Sequence, residues 1–232
     1  MVMIMNLHTR KDLRKMKGVS ELVGNVLMLL VVTGLISEAF LFGMPILQKR
    51  MDQASVSYME NSLIEIADAF ESIATESGET KIRLESQSRF GTPPEIKITN
   101  DDTGYYIELR GATKTTHYAP YDVPLNDFLE AIKDGEEIIG TLGVNKAIVV
   151  TGRSTKLSGG IRNVMSVRPR PIRSPSSPVV TLIEITPARG KSTKTTLPTM
   201  VYIKKEGERL ESRLENNETL TYKIISLEVG FE

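Results

Sequence analysis

Residues 17–47 read KGVSELVGNVLMLLVVTGLISEAFLFGMPIL, and the rest of the chain is placed by them. From Leu22 to Leu47 there are 26 residues with one charge, Glu38. A helix of that length spans about 39 Å at 1.5 Å per residue, more than a hydrocarbon core of ~30 Å. The stretch before it, MVMIMNLHTRKDLRKMKG at 1–18, carries Arg10, Lys11, Arg14, Lys15 and Lys17 against one acid, Asp12. A basic flank on that side keeps the N-terminus in the cytoplasm and sends the remainder of the chain across the membrane.

Three readings fit such a start. A cleaved secretory signal needs a small-residue cleavage site after a short apolar run. Gly34–Phe42, GLISEAFLF, offers none, and the run is too long. A plain N-terminal membrane anchor needs only the apolar length. The third reading turns on the junction. Lys17-Gly18 is a basic-Gly step placed before the apolar run, and Val19-Ser20-Glu21-Leu22-Val23-Gly24 follows it.

With that placement, residues 14–45 resemble the class III signal peptide and N-terminal helix of archaeal type IV pilins and archaellins. The resemblance implies that a prepilin peptidase cuts after Gly18. Lys17 is then the basic residue before the cut and Val19 the first mature residue. It also implies that the apolar helix is retained and packs into the core of a surface filament. The expected partners are the peptidase, the membrane, identical or related pilin-like subunits and a pilus assembly platform. Bacterial type IV pilins carry Glu at the fifth mature residue. Here that residue is Val23, and Glu21 is third, which favours the archaeal type. Glu38 is a second departure, because a charge within the bilayer costs ~2.5–3.5 kcal/mol by insertion scales. It lies near the outer interface or serves in subunit pairing.

The apolar pattern continues past the membrane-length run. Val56, Met59, Leu63, Ile66, Phe70 and Ile73 are spaced 3, 4, 3, 4, 3, a heptad-like seam on a helix. That seam packs on the chain's own outer domain or on helices of other subunits. Nothing strongly breaks the helix before Gly78, although Gly43 and Pro45 can kink it. The expected organisation is a leader at 1–18, a long helix at 19–77 with its membrane-spanning part at 22–47, and an extracellular β-rich head at 78–232. The fold class is α+β, with an antiparallel, sandwich-like head.

The head reads as strands. Residues 80–85 and 95–99 alternate apolar and polar, and 105–109 follows across a turn-rich loop, so 95–110 is a hairpin. Residues 125–133 read as a short amphipathic helix. Strands are expected at 147–151, 164–167, 178–186, 199–204 and 219–229. Arg168–Pro178, with Pro169, Pro171, Pro175 and Pro178, reads as a loop with basic side chains.

Composition narrows the chemistry. The 232 residues carry 29 basic and 29 acidic groups, no Cys and two His, His8 and His117. Disulfide scaffolds, thiolate metal sites and Cys nucleophiles are excluded, and a histidine-based metal site or Ser-His-Asp triad has little to draw on. The neutral total hides segregation. Residues 51–145 carry 7 basic and 18 acidic groups, whereas 146–205 carry 12 basic and one acidic, Glu184. Such blocks pair within a fold, pair between copies, or bind an anion.

No motif carries a reaction. Thr151–Gly160 has glycines, a lysine and hydroxyls, but it is not a phosphate-binding loop. It reads as a hairpin loop. Asn100-Asp101-Asp102 is a weak calcium candidate. Glu136-Glu137 reads as a solvated pair and His117 as structural. Asn217-Glu218-Thr219 is a glycosylation sequon in the expected outer domain. The basic block has one aromatic, Tyr202, so specific nucleic-acid binding is not expected. The expectation is a non-enzymatic, single-pass cell-surface protein without a cofactor: a structural subunit of an archaeal pilus-like filament whose head contacts surfaces. A minor pilin-like assembly component and a membrane-anchored binding ectodomain are the alternatives.

Overall fold

The computed structural model describes residues 6–86, 92–126, 139–141, 146–215 and 218–232. The contacts divide the chain into two compact units, Met1–Arg50 and Met51–Glu232. The expected 125–133 helix, apart from Leu125 and Asn126, lies outside the described residues, as do Glu136-Glu137 and Asn217.

Helix α1 runs from Asn6 to Thr75 with Pro45 inside it. It begins within the leader rather than near residue 19. Leu, Lys, Arg and Met dominate 10–17, and all are good helix formers. Past Thr75 the chain turns at Gly78, whose φ of +150° suits glycine. The exposed terminal carbonyls are met from outside. Lys205 Nζ donates to Ala74 O at 2.9 Å, a cationic cap that also opposes the negative end of the helix dipole.

Twelve strands follow. They are β1 (Glu79–Leu84), β2 (Glu95–Asp101), β3 (Gly104–Thr113), β4 (Val123–Pro124), β5 (Gly140–Thr141) and β6 (Ile148–Leu157), then β7 (Gly160–Pro169), β8 (Ile172–Arg173), β9 (Val179–Pro187), β10 (Lys194–Thr196), β11 (Thr199–Glu215) and β12 (Glu218–Phe231). They form two six-stranded sheets, ordered β1-β11-β12-β9-β8-β5 and β10-β2-β3-β7-β6-β4. The chain is therefore α+β. The second sheet is antiparallel throughout.

The first sheet is mixed, which departs from the antiparallel expectation. Strand β12 runs parallel to β9, and β5 parallel to β8. The cause is connectivity. After β9 the chain leaves the first sheet, adds β10 to the edge of the second, and returns as β11. A parallel pair needs such a crossover, whereas a tight turn enforces antiparallel pairing.

Two local expectations are also corrected. Thr151–Leu157 belongs to β6, and the turn is only Ser158-Gly159, since Leu157 pairs with Gly160. Gly160, the first residue of β7, has φ +152°, a conformation that favours glycine. The proline-rich segment is not all loop. Ile172 and Arg173 pair with Thr181 and Val180 of β9, between two prolines that cap the short strand.

One buried cluster takes Phe70, Leu63 and Met59 from the helix, Leu84, Val201, Ile185 and Leu227 from the first sheet, and Ile96, Leu109, Val150 and Met165 from the second. A smaller cluster of Val180, Leu220, Tyr222 and Ile224 lies on β9 and β12, with Ile139 and Leu182 packed against it. The alternation along β12 explains both. Leu220, Tyr222 and Ile224 share one face, and Ile225, Leu227, Val229 and Phe231 share the other, so the adjacent pair Ile224-Ile225 marks where burial changes sides.

Candidate functional site

The features that can carry function lie along α1. Its described residues from Leu22 to Leu47 are almost entirely exposed and almost entirely apolar. Leu30 is 61% exposed, whereas Leu63 in the same helix is 0% exposed. Among the described residues this is the one helix long and apolar enough to cross a membrane. Its few hydroxyls are satisfied internally. Thr33 Oγ1 donates to Leu29 O at 2.7 Å and Ser37 Oγ to Thr33 O at 2.8 Å. Both bonds need no water, as hydrocarbon demands. Glu38 is exposed on this segment. Lys17, Gly18 and Val19 lie within the helical backbone, and their side chains are outside the described residues.

The second part of the helix is the reverse. Val56, Met59, Leu63, Ile66, Phe70 and Ile73 are all buried, together with Ala67 and Ala74. Met59 lies against β3, where a Cβ on Gly111 would come within 2.6 Å of its sulfur. Glycine at 111 therefore sets how closely the helix approaches the sheet.

Acidic residues flank the seam and bind the head. Asp52 Oδ2 accepts from Lys114 N at 2.9 Å, Thr115 N at 3.1 Å and Thr115 Oγ1 at 3.2 Å. Tyr118 Oη donates to Glu60 Oε2 at 3.3 Å. Burial, then the adjacent Glu60 carboxylate, pushes the Tyr118 phenol well above its ordinary pKa. Lys146 pairs with Asp68 at 2.8 Å, and Ile148 N donates to Glu71 Oε1 at 3.3 Å. Asp52 escaped the sequence reading, yet the signal was present. It stands four residues before Val56, which continues the 3–4 spacing of the buried seam with a polar side chain.

His117 belongs to the same corner. Its Nε2 lies 2.9 Å from Thr115 Oγ1. Burial lowers its pKa, and the Asp52 charge opposes that shift. Ser154 Oγ, Asn163 and Thr113 Oγ1 form a buried chain beside it, with Ser154 donating to Asn163 Oδ1 at 2.6 Å and Asn163 Nδ2 to Thr113 at 2.8 Å. These bonds fix a corner of the head.

The remaining candidates resolve into structure. Asp101 accepts from Thr103 N at 3.0 Å and pairs with Arg168 at 2.5 Å. Burial raises its pKa, but the Thr103 and Arg168 hydrogen bonds outweigh that and hold it below the usual range. Among the described residues no group of three or more His, Asp or Glu is placed to hold a metal. The segregated charge blocks meet within the head unit. Asp68, Glu95, Asp101 and Asp122 from the acidic block pair with Lys146, Lys194, Arg168 and Arg153 from the basic one.

Comparison with protein families, with curated proteins and with solved structures finds no match to the chain.

Proposed function

We propose that this protein is a non-enzymatic structural subunit of an archaeal type IV pilus-like surface filament. The observation that carries the proposal is the division of one helix: 22–47 is apolar and exposed, while 56–73 is apolar and buried. An apolar surface of that length is unstable in water and calls for lipid or other helices. The basic-Gly step at Lys17-Gly18 adds how the first is exchanged for the second. Prepilin peptidase removes the leader after Gly18, and the charges that pin the helix in the membrane leave with it. The assembly platform then extracts the helix. At ~0.8 kcal/mol per buried CH₂, its packing on neighbouring helices holds subunits without covalent links. Before processing the chain is a single-pass membrane protein with its C-terminal unit outside.

The head is read as a β-sandwich, because residues from both sheets and the helix seam contribute to one buried cluster. It presents its outer face to surfaces or partners, and Asn217 is a candidate glycan acceptor. The test is to shear surface filaments from cells expressing the chain and probe them for it. Wild type is recovered in the filament fraction. Leu30→Glu is absent from that fraction while its head remains folded. Recovery of both variants in membranes alone, from cells that assemble a control pilin, would contradict filament membership and leave an anchored ectodomain.

A further inference from the structure

We propose that the uncovered edge of β11 docks a second copy of this chain, the two β11 strands pairing antiparallel about Ser212. All of the residues involved lie in the head unit, so neither the membrane span nor filament membership enters.

Strand β1 covers β11 only from Thr199 to Lys204. Just beyond, Lys205 N donates to Gly78 O at 3.1 Å. From Gly207 to Glu215 the strand runs on for nine residues, with β12 on one side and no strand on the other among the described residues. Such an edge is a template for a further strand. The strands at the sheet edges are shorter: β4 and β5 have two residues, β10 three and β1 six. The usual guards are missing. No Pro or Lys lies in 207–215, and between Gly207 and Leu214 two glutamates offset two arginines. Leu210 and Leu214 share one face and are 71% and 74% exposed, the most exposed large apolar side chains described in the head unit.

The sequence selects the occupant. Residues 209–215 read RLESRLE, which complements itself when reversed about Ser212. Leu210 then faces Leu214 of the second copy, Glu211 faces its Arg213, and Arg209 faces its Glu215. Opposed apolar or opposite-charge pairs favour strand pairing, and opposed like charges disfavour it. Within one chain Glu211 already pairs with Arg209 at 2.9 Å and Arg213 at 3.2 Å, so the signs alternate along the strand. The second copy extends that alternation sideways and gathers four exposed leucines into one patch.

Neighbouring registers fail. Centred on Glu211, that residue meets itself and Arg209 meets Arg213. Centred on Arg213, that residue meets itself and Glu211 meets Glu215. Centred on Leu210 the charges agree, but the incoming Glu215 faces Lys205, whose N–H is already given to Gly78 O, and the chain beyond it runs into β1. Centred on Ser212, the incoming strand ends opposite Arg209, clear of Gly78. A notch of 300 Å³ lined by Ser77, Gly78, Lys205, Gly207 and Glu208 leaves room beyond that end. Pairing of this kind uses the same edge on both copies, so it closes at two.

The absence of Cys makes the test clean. Full-length chain carrying Ser212→Cys is oxidised mildly in excess detergent, which keeps chains in separate micelles. Directly opposed strand residues lie about 4.5–5.5 Å apart, within reach of a disulfide. Ser158→Cys, in the exposed β6–β7 turn, is the control for random collision. The expected result is a cross-linked dimer at 212 while the 158 variant stays monomeric. Adding Leu210→Ser with Leu214→Ser abolishes the cross-link. So does adding Glu211→Arg or Arg213→Glu alone, since each opposes like charges. Mixing those two single-charge variants, each with its own size tag, restores the cross-link between unlike chains only, a recovery that a folding defect in either could not give. Equal cross-linking at 212 and 158 overturns the proposal. So does a charge variant that links to itself as readily as to the other, or a mixture that yields no unlike pair.

Discussion

The two parts of α1 are equally apolar along their seams and meet opposite fates. Between Leu22 and Leu47 the apolar residues occur all round the helix and are exposed. Between Val56 and Ile73 they occupy one stripe, and that stripe is buried against the head. A helix apolar on every side has no solvated face, so one folded domain cannot satisfy it. A helix with one apolar stripe needs only one partner surface. The contrast teaches that the breadth of the stripe, rather than the number of apolar residues, separates a segment that completes its own domain from one that needs a different environment.

The contrast breaks most sharply at Phe70. Phe70→Ala removes a fully buried ring and costs about 3–5 kcal/mol of head stability. Leu30→Ala changes the head by no more than about 0.5 kcal/mol. Denaturation of the detergent-solubilised full chain, followed by tyrosine signals of the head, measures both. Equal losses would erase the distinction between the two parts.

Next in size is Asp52. Asp52→Ala strands the amides of Lys114 and Thr115 and costs about 1–3 kcal/mol. Asp52→Asn keeps an acceptor oxygen and loses less, so the order of the two variants in chemical denaturation checks the role of the bonds. Lys146→Ala removes an ion pair whose members are both well exposed. A loss of about 0–1 kcal/mol is expected, and a larger one would show that the acidic and basic blocks hold the head together.

The finest effect is one of pH. His117 has a lowered pKa in the fold, so the folded state binds its proton less well than the unfolded state does. The stability it contributes is present above the unfolded value of about 6.5 and is lost as pH falls from there toward the folded value. His117→Asn should flatten that part of the stability–pH curve relative to wild type. An unchanged slope would place His117 in an ordinary solvated setting.

Much of this was legible from residues. The seam from Val56 to Ile73 shows itself by spacing, and the hairpin over 95–110 by alternation around a turn. Strand β11 extends to Glu215, well past the expected 204, because Lys205, Glu208, Arg209 and Glu211 disguise it with charge. Those side chains pair along the strand surface instead of marking a loop. The parallel pairing of β9 with β12 leaves no local mark, since it follows from the chain's route through the other sheet. The Asp52 corner was hidden for a related reason: its acceptors and donors are about sixty residues apart in sequence, and only the fold brings them together.

The proposed role depends most directly on where the mature chain begins. The decisive measurement is the N-terminal sequence of the protein after co-expression with an archaeal prepilin peptidase. The account predicts a new terminus at Val19, with the leader through Gly18 removed. An intact leader on this chain, with the same peptidase cutting a control pilin, would contradict it.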